Sequence, residues 1–199
     1  MKSLLLSFLS FGSIFAFPSY SLDIGQMAPN FSLSNSNSKN LNLSDFKGKT
    51  VVLEWLNHGC PFVRKHYDSD NMQTLQKEFT KKGIVWLSII SSAPGKQGYS
   101  TPQKANQDYS ENKAGSTHIL LDPKGNVGRS YEAKTTPHMY IVNPKGKLVY
   151  KGAIDSIPSA NQSDIPKAVN YVKEALDSLL VGKKVKTAKT RPYGCSVKY

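Results

Sequence analysis

The chain has 199 residues, 39% of them hydrophobic and 10% aromatic, with a formal net charge of +12 and only two cysteines. That length suits one domain with a full hydrophobic core. Two cysteines exclude a framework of disulfide staples and any site needing several cysteine ligands, and neither a glycine-rich phosphate loop nor a Ser-His-Asp spacing stands out.

In chain order, "MKSLLLSFLSFGSIFAFPSYS" carries one positive charge at Lys2, an apolar run from Leu4 to Phe17, then the small residues Ser19 and Ser21. This reads as a secretory signal peptide over 1–21, because the run is short for a bilayer span and is broken by Ser and Gly. The expectation is an exported protein, periplasmic if the source is Gram-negative, with the membrane a partner only through the leader. The mature domain is expected over 22–182, followed by a basic tail, 183–199, that carries Cys195. That tail holds six Lys/Arg and no acid, half of the net excess. It is expected to be solvated and mobile or loosely docked, and export argues against nucleic acid as a partner.

Phe31 and Leu33 alternate with polar residues, as in an edge strand. Ser44 is positioned to cap a helical turn over "DFKG". "TVVLEWL" (50–56) is β-branched and apolar on both faces, as in a covered central strand. A helix is expected from Pro61 to Lys82, with Phe62, His66, Met72, Leu75 and Phe79 on one face and Gly83 closing it. "IVWLSII" (84–90) and "THILLD" (117–122) read as further strands, separated by a loop and a helix over "PQKANQDYSENK". "NVGRSYEA" reads as a short helix. "HMYIVN" and "KLVYKGAI" flank a "PKG" turn as a hairpin. "DIPKAVNYVKEALDSLL" (164–180) is the best amphipathic helix, with Ile165, Ala168, Val169, Val172, Ala175, Leu176 and Leu179 in one stripe. Strands alternating with helices indicate an α/β fold with helices on both faces.

"LEWLNHGCPFVRKHY" carries the chemistry. The strand ends near Leu56 and a helix opens at Pro61, where a missing N–H costs nothing. Cys60 therefore sits at a helix N-terminus, where free N–H groups and the dipole favour an anion. Such sites lower a cysteine pKa, and the thiolate is the nucleophile. Arg64 and Lys65 add positive charge one turn on, and His58 lies two residues before.

"SDFKGKTVVLEWLNHGCPF" and "HILLDPKGNVGRSYEAKTTPHMYIVNPKGKLVYKGAID" together resemble the thioredoxin superfamily. Within it they look like the redoxin, or alkyl hydroperoxide reductase/thiol-specific antioxidant, branch that includes peroxiredoxin-like proteins with Gly-Cys-Pro-Phe. The likeness spans about residues 24–180. It implies a thioredoxin-like fold, a central mixed β-sheet with helices on both faces. It implies a cis bond between Thr136 and Pro137, with the proline beside the Cys60 thiol. It also suggests that Glu54, six residues before Cys60, is a buried proton relay; pairing with a lysine at the sheet edge is the other reading. The implied activity is thiol-based oxidoreduction of the antioxidant, peroxiredoxin-like kind, reducing hydroperoxides or disulfides through Cys60. No bound cofactor is implied, and a thiol reductant such as a thioredoxin-like protein would reset the site.

Two departures from the family pattern matter. The second cysteine of a Cys-X-X-Cys pair is here Val63, and Asn57 stands where peroxiredoxins have Thr or Ser. Asn57 could still donate to a peroxide oxygen, and Arg64 or Arg129 could supply the guanidinium that peroxiredoxins need. A monothiol site needs a second thiol, and only Cys195 exists. The expectation is that Cys195, with its pKa lowered by the basic run, resolves an oxidised Cys60 within a chain or between two chains. A permanent staple, worth about 4–5 kcal/mol on the chain-entropy model, and an unpaired Cys195 are the alternatives. A non-catalytic binding or copper-handling protein, with His58, Cys60 and His66 as ligands, is the other functional class. Copper or zinc wants three or four protein ligands, and His66 should face away from Cys60. His138, next to Pro137, is placed to line the rim of the site.

Overall fold

The computed structural model describes residues 22–199, so the leader expected over 1–21 lies outside the described residues. The elements run β1 (Ser32–Asn35), β2 (Asn40–Asn42), β3 (Val51–Trp55), α1 (Pro61–Tyr67), α2 (Asn71–Lys81), β4 (Val85–Ile90), α3 (Pro102–Glu111), β5 (His118–Leu121), α4 (Asn126–Ser130), β6 (Thr135–Thr136), β7 (His138–Val142), β8 (Leu148–Gly152), α5 (Tyr171–Leu180) and β9 (Cys195–Ser196). Seven strands form one mixed sheet in the order β2-β1-β5-β4-β3-β7-β8. Strands β3, β4 and β5 are parallel, and the remaining pairs are antiparallel.

Period-2 alternation divides the core. Val52, Trp86, Met139 and Ile141 pack on one face with Val63, Met72, Leu75, Phe79, Ala105, Val172 and Leu176 from α1, α2, α3 and α5. Leu53, Trp55, Leu87, Ile89 and Tyr140 pack on the other with Val127 of α4, Tyr131 and the N-terminal residues Leu22 and Phe31. Covered on both faces, β3 and β4 are buried at every position, which explains their lack of polar alternation. Parallel β3 and β4 both end beside the Leu56–Gly59 loop, where open α/β sheets place ligands.

Several local expectations are corrected. β1 is interior rather than an edge, because β2 pairs outside it. The turn at Leu43–Phe46 is capped by Asn42 with Asp45, not by Ser44. The helix expected over 61–82 is two helices. Asp70 takes a left-handed conformation, φ 57°, and Ser69 Oγ donates back to the Lys65 carbonyl at 2.7 Å; short polar side chains here compete with the helical ladder. The helix expected over 164–180 starts only at Tyr171. Pro166 lies in a preceding 3-10 turn, and Asn170 caps α5 by accepting from Lys173 N–H at 2.9 Å. Of the expected stripe, Val172, Ala175 and Leu176 are buried, whereas Val169 is 45% exposed. The β7–β8 hairpin turns through "NPKG" as its composition demands, Gly146 N–H donating to Asn143 at 2.8 Å.

The basic tail is docked along much of its length, contrary to expectation. Lys151 N–H donates to Ala188 and Thr190 N–H to Lys151, beside the edge strand β8. Thr190 Oγ1 accepts from Ala153 N–H at 2.9 Å and bonds the buried Tyr150 hydroxyl at 2.8 Å. Farther on, β9 pairs antiparallel with β6, Ala93 N–H donates to Lys198, and the Tyr199 hydroxyl donates to Ala133. The sequence cue for mobility was charge, but backbone groups and the Thr and Tyr hydroxyls make most of these contacts, with Lys189 adding an ion pair to Asp23 at 3.4 Å. Thr190→Val keeps the shape and leaves Ala153 N–H without its acceptor. It is expected to cost about 1–3 kcal/mol, read as a lower urea midpoint with an unchanged slope.

Candidate active site

Cys60 is the N-cap of α1, extended at φ −87° and ψ 125°, and Pro61 opens the helix. Its sulfur is fully covered, at 0% exposure. The Thr136–Pro137 bond is cis, and Cys60 S–H donates to the Thr136 carbonyl at 3.1 Å. From the other side comes the tail. Cys195 stands opposite Thr136 in the β6–β9 register, with its Sγ 2.6 Å from that of Cys60 and its N–H 3.4 Å from the same sulfur. Both cysteines are free thiols. Gly194 makes this approach possible: at φ 137° its Cα faces the Thr136 carbonyl, and a Cβ there would collide with that oxygen.

The two thiols ionise unequally. Burial raises the Cys60 pKa, but the hydrogen bond from the Cys195 side chain and the N–H groups of Cys195, Val63 and Phe62 outweigh it, so the net shift is downward. Cys195 moves the other way, pushed up to about 11, first by burial and then by its hydrogen bond to Cys60 and the charge there. Lys198 opposes that shift without outweighing it, so the expected lowering of Cys195 by the basic run is corrected. Cys60 is thus the more acidic thiol of the pair and Cys195 the less acidic.

The sequence model of the AhpC/TSA family matches residues 24–151, well over half of the chain. The chain belongs to the AhpC/TSA family. It is 28% identical over 129 residues to the thiol-disulfide oxidoreductase ResA of Bacillus subtilis, covering 65% of this chain and 66% of that protein, just short of two thirds of the relative's length. An uncharacterized conserved protein from Geobacillus kaustophilus superposes with a TM-score of 0.76 and 26% identity over 90% of this chain and 93% of that one. The thioredoxin domain of a thiol-disulfide oxidoreductase from Bacteroides vulgatus matches with a TM-score of 0.53 and 24% identity over 74% and 98%. The fold is thioredoxin-like, an α/β architecture built on a central mixed sheet.

Other residues singled out within this family frame fall in different places. Glu54 is fully buried and accepts from the Tyr67 hydroxyl at 2.9 Å, Gln76 at 3.0 Å, Trp86 Nε1 at 2.8 Å and Ser88 at 3.0 Å. These are four neutral donors, so the reading that paired it with a lysine is corrected. Burial raises its pKa despite those bonds. Its hydrogen bonds run to α1, α2 and β4 and not to Cys60. Asn57 turns inward: its Oδ1 accepts from Gly59 N–H at 2.9 Å and its Nδ2 donates to the Gln97 carbonyl at 3.4 Å, while Gln97 Nε2 donates to Gly59 at 3.0 Å. That clasp shapes the loop entering Cys60, and the Gln97 half of it carries no spacing signal in the sequence. Neither arginine bonds the thiol. Arg64 pairs with Asp68 at 3.1 Å, and Arg129 stacks on Tyr199 at 4.4 Å.

The histidines also part company. His138 packs on Tyr140, 4.4 Å between rings, beside Trp55 on the sheet face away from α1, so it does not line the rim. Its pKa is lowered to about 3 by burial and then by Lys151 and Lys134. His58 stacks edge-on against Tyr67 at 4.9 Å. Among the described residues no three His, Cys, Asp or Glu side chains converge as a metal set, and no helix is long and apolar enough to cross a membrane.

Two outcomes follow. Glu54 has a folded pKa above its ordinary 4.5, so its contribution to stability is complete below that pH and is lost as pH rises through the folded pKa. Urea midpoints measured from pH 4 upward should therefore fall more steeply in the natural protein than in Glu54→Gln. Gly194→Ala places a methyl against the Thr136 carbonyl and should unseat β9, speeding iodoacetamide alkylation of Cys60 by about tenfold or more through easier local opening.

Proposed function

We propose that the protein is an exported thiol oxidoreductase that exchanges disulfides through Cys60 and resolves them through Cys195. The observation that carries this reading is the contact of two free sulfurs brought together from positions 135 residues apart, one primed to ionise and the other to hold its proton. Family membership and the name of the Bacillus subtilis relative support the same class.

The Cys60 thiolate attacks one sulfur of a substrate disulfide, forming a mixed disulfide and releasing the first substrate thiolate. Cys195 gives up its proton and attacks Cys60 Sγ. The second substrate thiolate leaves, and the Cys60–Cys195 disulfide remains. The substrate gains two electrons and the protein loses two. A thiol reductant, such as a thioredoxin-like protein, reverses the change by attacking that disulfide. Cys60 is fully covered, and the two-residue β6–β9 pairing beside it is short enough to open for substrate, the Val63 and Phe62 N–H groups of its own helix start still facing the thiolate when it does. The cysteines themselves carry the electrons, and no bound cofactor enters the cycle.

Hydroperoxide reduction, the antioxidant reading, is the second candidate, favoured by the AhpC/TSA family. Here the thiolate would take the terminal peroxide oxygen, giving a sulfenic acid and an alcohol. Cys195 would then condense with it and release water. The engaged Asn57 amide and the absence of an arginine bond to Cys60 weigh against it. The test runs insulin reduction and peroxide consumption side by side with Cys60→Ser and Cys195→Ser. Disulfide exchange predicts insulin turnover that Cys60→Ser abolishes, with a stable mixed disulfide trapped in Cys195→Ser. Peroxide turnover without insulin turnover would reverse the order of the two readings.

A further inference from the structure

A second buried cluster lies beside the two sulfurs. Lys65, His66 and Asp155 are all almost completely buried, and buried lysines are rare unless paired. Lys65 Nζ donates to Asp155 Oδ2 at 3.0 Å and to the Ile157 carbonyl at 3.0 Å. Asn71 Nδ2 donates to His66 Nδ1 at 2.7 Å, so the proton of the neutral ring sits on Nε2 and points the opposite way. Everything left over converges on one tail hydroxyl. Tyr193 OH donates to Asp155 Oδ1 at 2.5 Å, with His66 Nε2 at 3.3 Å and Lys65 Nζ at 3.5 Å as donors to its oxygen. Its ring meets Phe62 of α1 edge-on at 5.9 Å.

The geometry has a direct consequence for Cys195. Lys65 and His66 belong to α1, the helix that Cys60 caps, while Tyr193 is two residues before Cys195. Between them stands Gly194, which lacks a side chain to hold its own place. The two-residue β6–β9 pairing is short, and a short pairing is weak by itself. The phenol at 193 both donates to the carboxylate and accepts from the Lys65 ammonium and the neutral His66 ring; a phenylalanine fills the space and does neither.

We propose that Tyr193 is the positioning residue of the resolving thiol: its hydroxyl, seated on the buried Lys65–His66–Asp155 cluster, ties the tail to the helix that carries Cys60 and sets the effective concentration of Cys195 at the Cys60 sulfur. This rests on the two-cysteine reading above and specifies what makes the pair close. When the latch holds, a mixed disulfide on Cys60 is resolved within the chain. When it is loosened, the mixed disulfide persists and is released by an external thiol instead.

The experiment is a glutathione redox titration of the full mature chain. In the balanced reaction the two protein thiols and one oxidised glutathione give the Cys60–Cys195 disulfide and two reduced glutathiones, scored by mass spectrometry. Tyr193→Phe is expected to shift the midpoint ratio by about tenfold or more toward the dithiol, with a glutathione adduct accumulating on Cys60. It should also raise the Cys60 thiolate pKa, read by ultraviolet absorbance, and should not raise it further in a Cys195→Ser chain. A merely structural tyrosine would move the thermal midpoint and leave that coupling at zero. Lys65→Met/Asp155→Leu removes the seat without stranding a buried charge and should give the same redox shift, which keeps the test alive if Tyr193→Phe folds poorly. An unshifted midpoint in both variants overturns the latch alone. Failure of the natural protein to form the Cys60–Cys195 disulfide at any ratio overturns the two-cysteine reading and the latch with it.

Discussion

The meeting of the two sulfurs depends on two backbone-paired residues. Cys195 and Ser196 lie antiparallel to Thr135 and Thr136, and that pairing is what delivers a second sulfur to a helix N-terminus that has none of its own beyond Cys60. Where Cys-X-X-Cys proteins place both thiols on one helical turn, this chain has Val63 in the second position, buried in the core. A local pair is replaced by a long-range one. Its register is tight because Gly194 allows the tail backbone to touch the Thr136 carbonyl.

From that contact follows a difference in acidity between the sulfurs. Cys60 receives the N–H groups of its own helix start and of the tail, so its anion is stabilised in spite of burial. Cys195 has no comparable donors and faces the charge on Cys60, so it keeps its proton. The rest of the site serves to hold these positions. The Asn57–Gln97 clasp sets the loop before Cys60, and the Tyr193 seat sets the strand that carries Cys195. Glu54 is tied by four hydrogen bonds to the core between β3, β4, α1 and α2, a satisfied buried network of the kind that fixes packing.

Much of this was legible in the linear chain wherever one element decided the matter. The runs at 50–56 and 84–90 are apolar on both faces, and they fold as the covered parallel strands at the centre of the sheet. The Gly-Cys-Pro junction is a strand–cap–helix transition, as Pro61 and Cys60 require. Errors arose where a short polar side chain redirected the backbone, at Ser69–Asp70 and at Asn170, since periodicity counts apolar residues and is blind to a cap inside the pattern. The tail misled for a related reason: its charges announce solvent, while its Thr190, Tyr193 and Tyr199 hydroxyls and its backbone bind the domain.

The amino-acid sequence by itself determined the fold class and the place of Cys60 at a helix start, because strand pattern, cap and helix start are encoded within a few consecutive residues. It also limited any partner thiol to Cys195, by count. Only the tertiary structure decided that the two sulfurs meet, which of them ionises, that Glu54 answers to neutral donors and that Lys65, His66 and Asp155 form a seat for Tyr193. Those facts depend on contacts between residues as far as 135 positions apart, and spacing along the chain carries no information about them until the sheet has set the register and excluded water from between them.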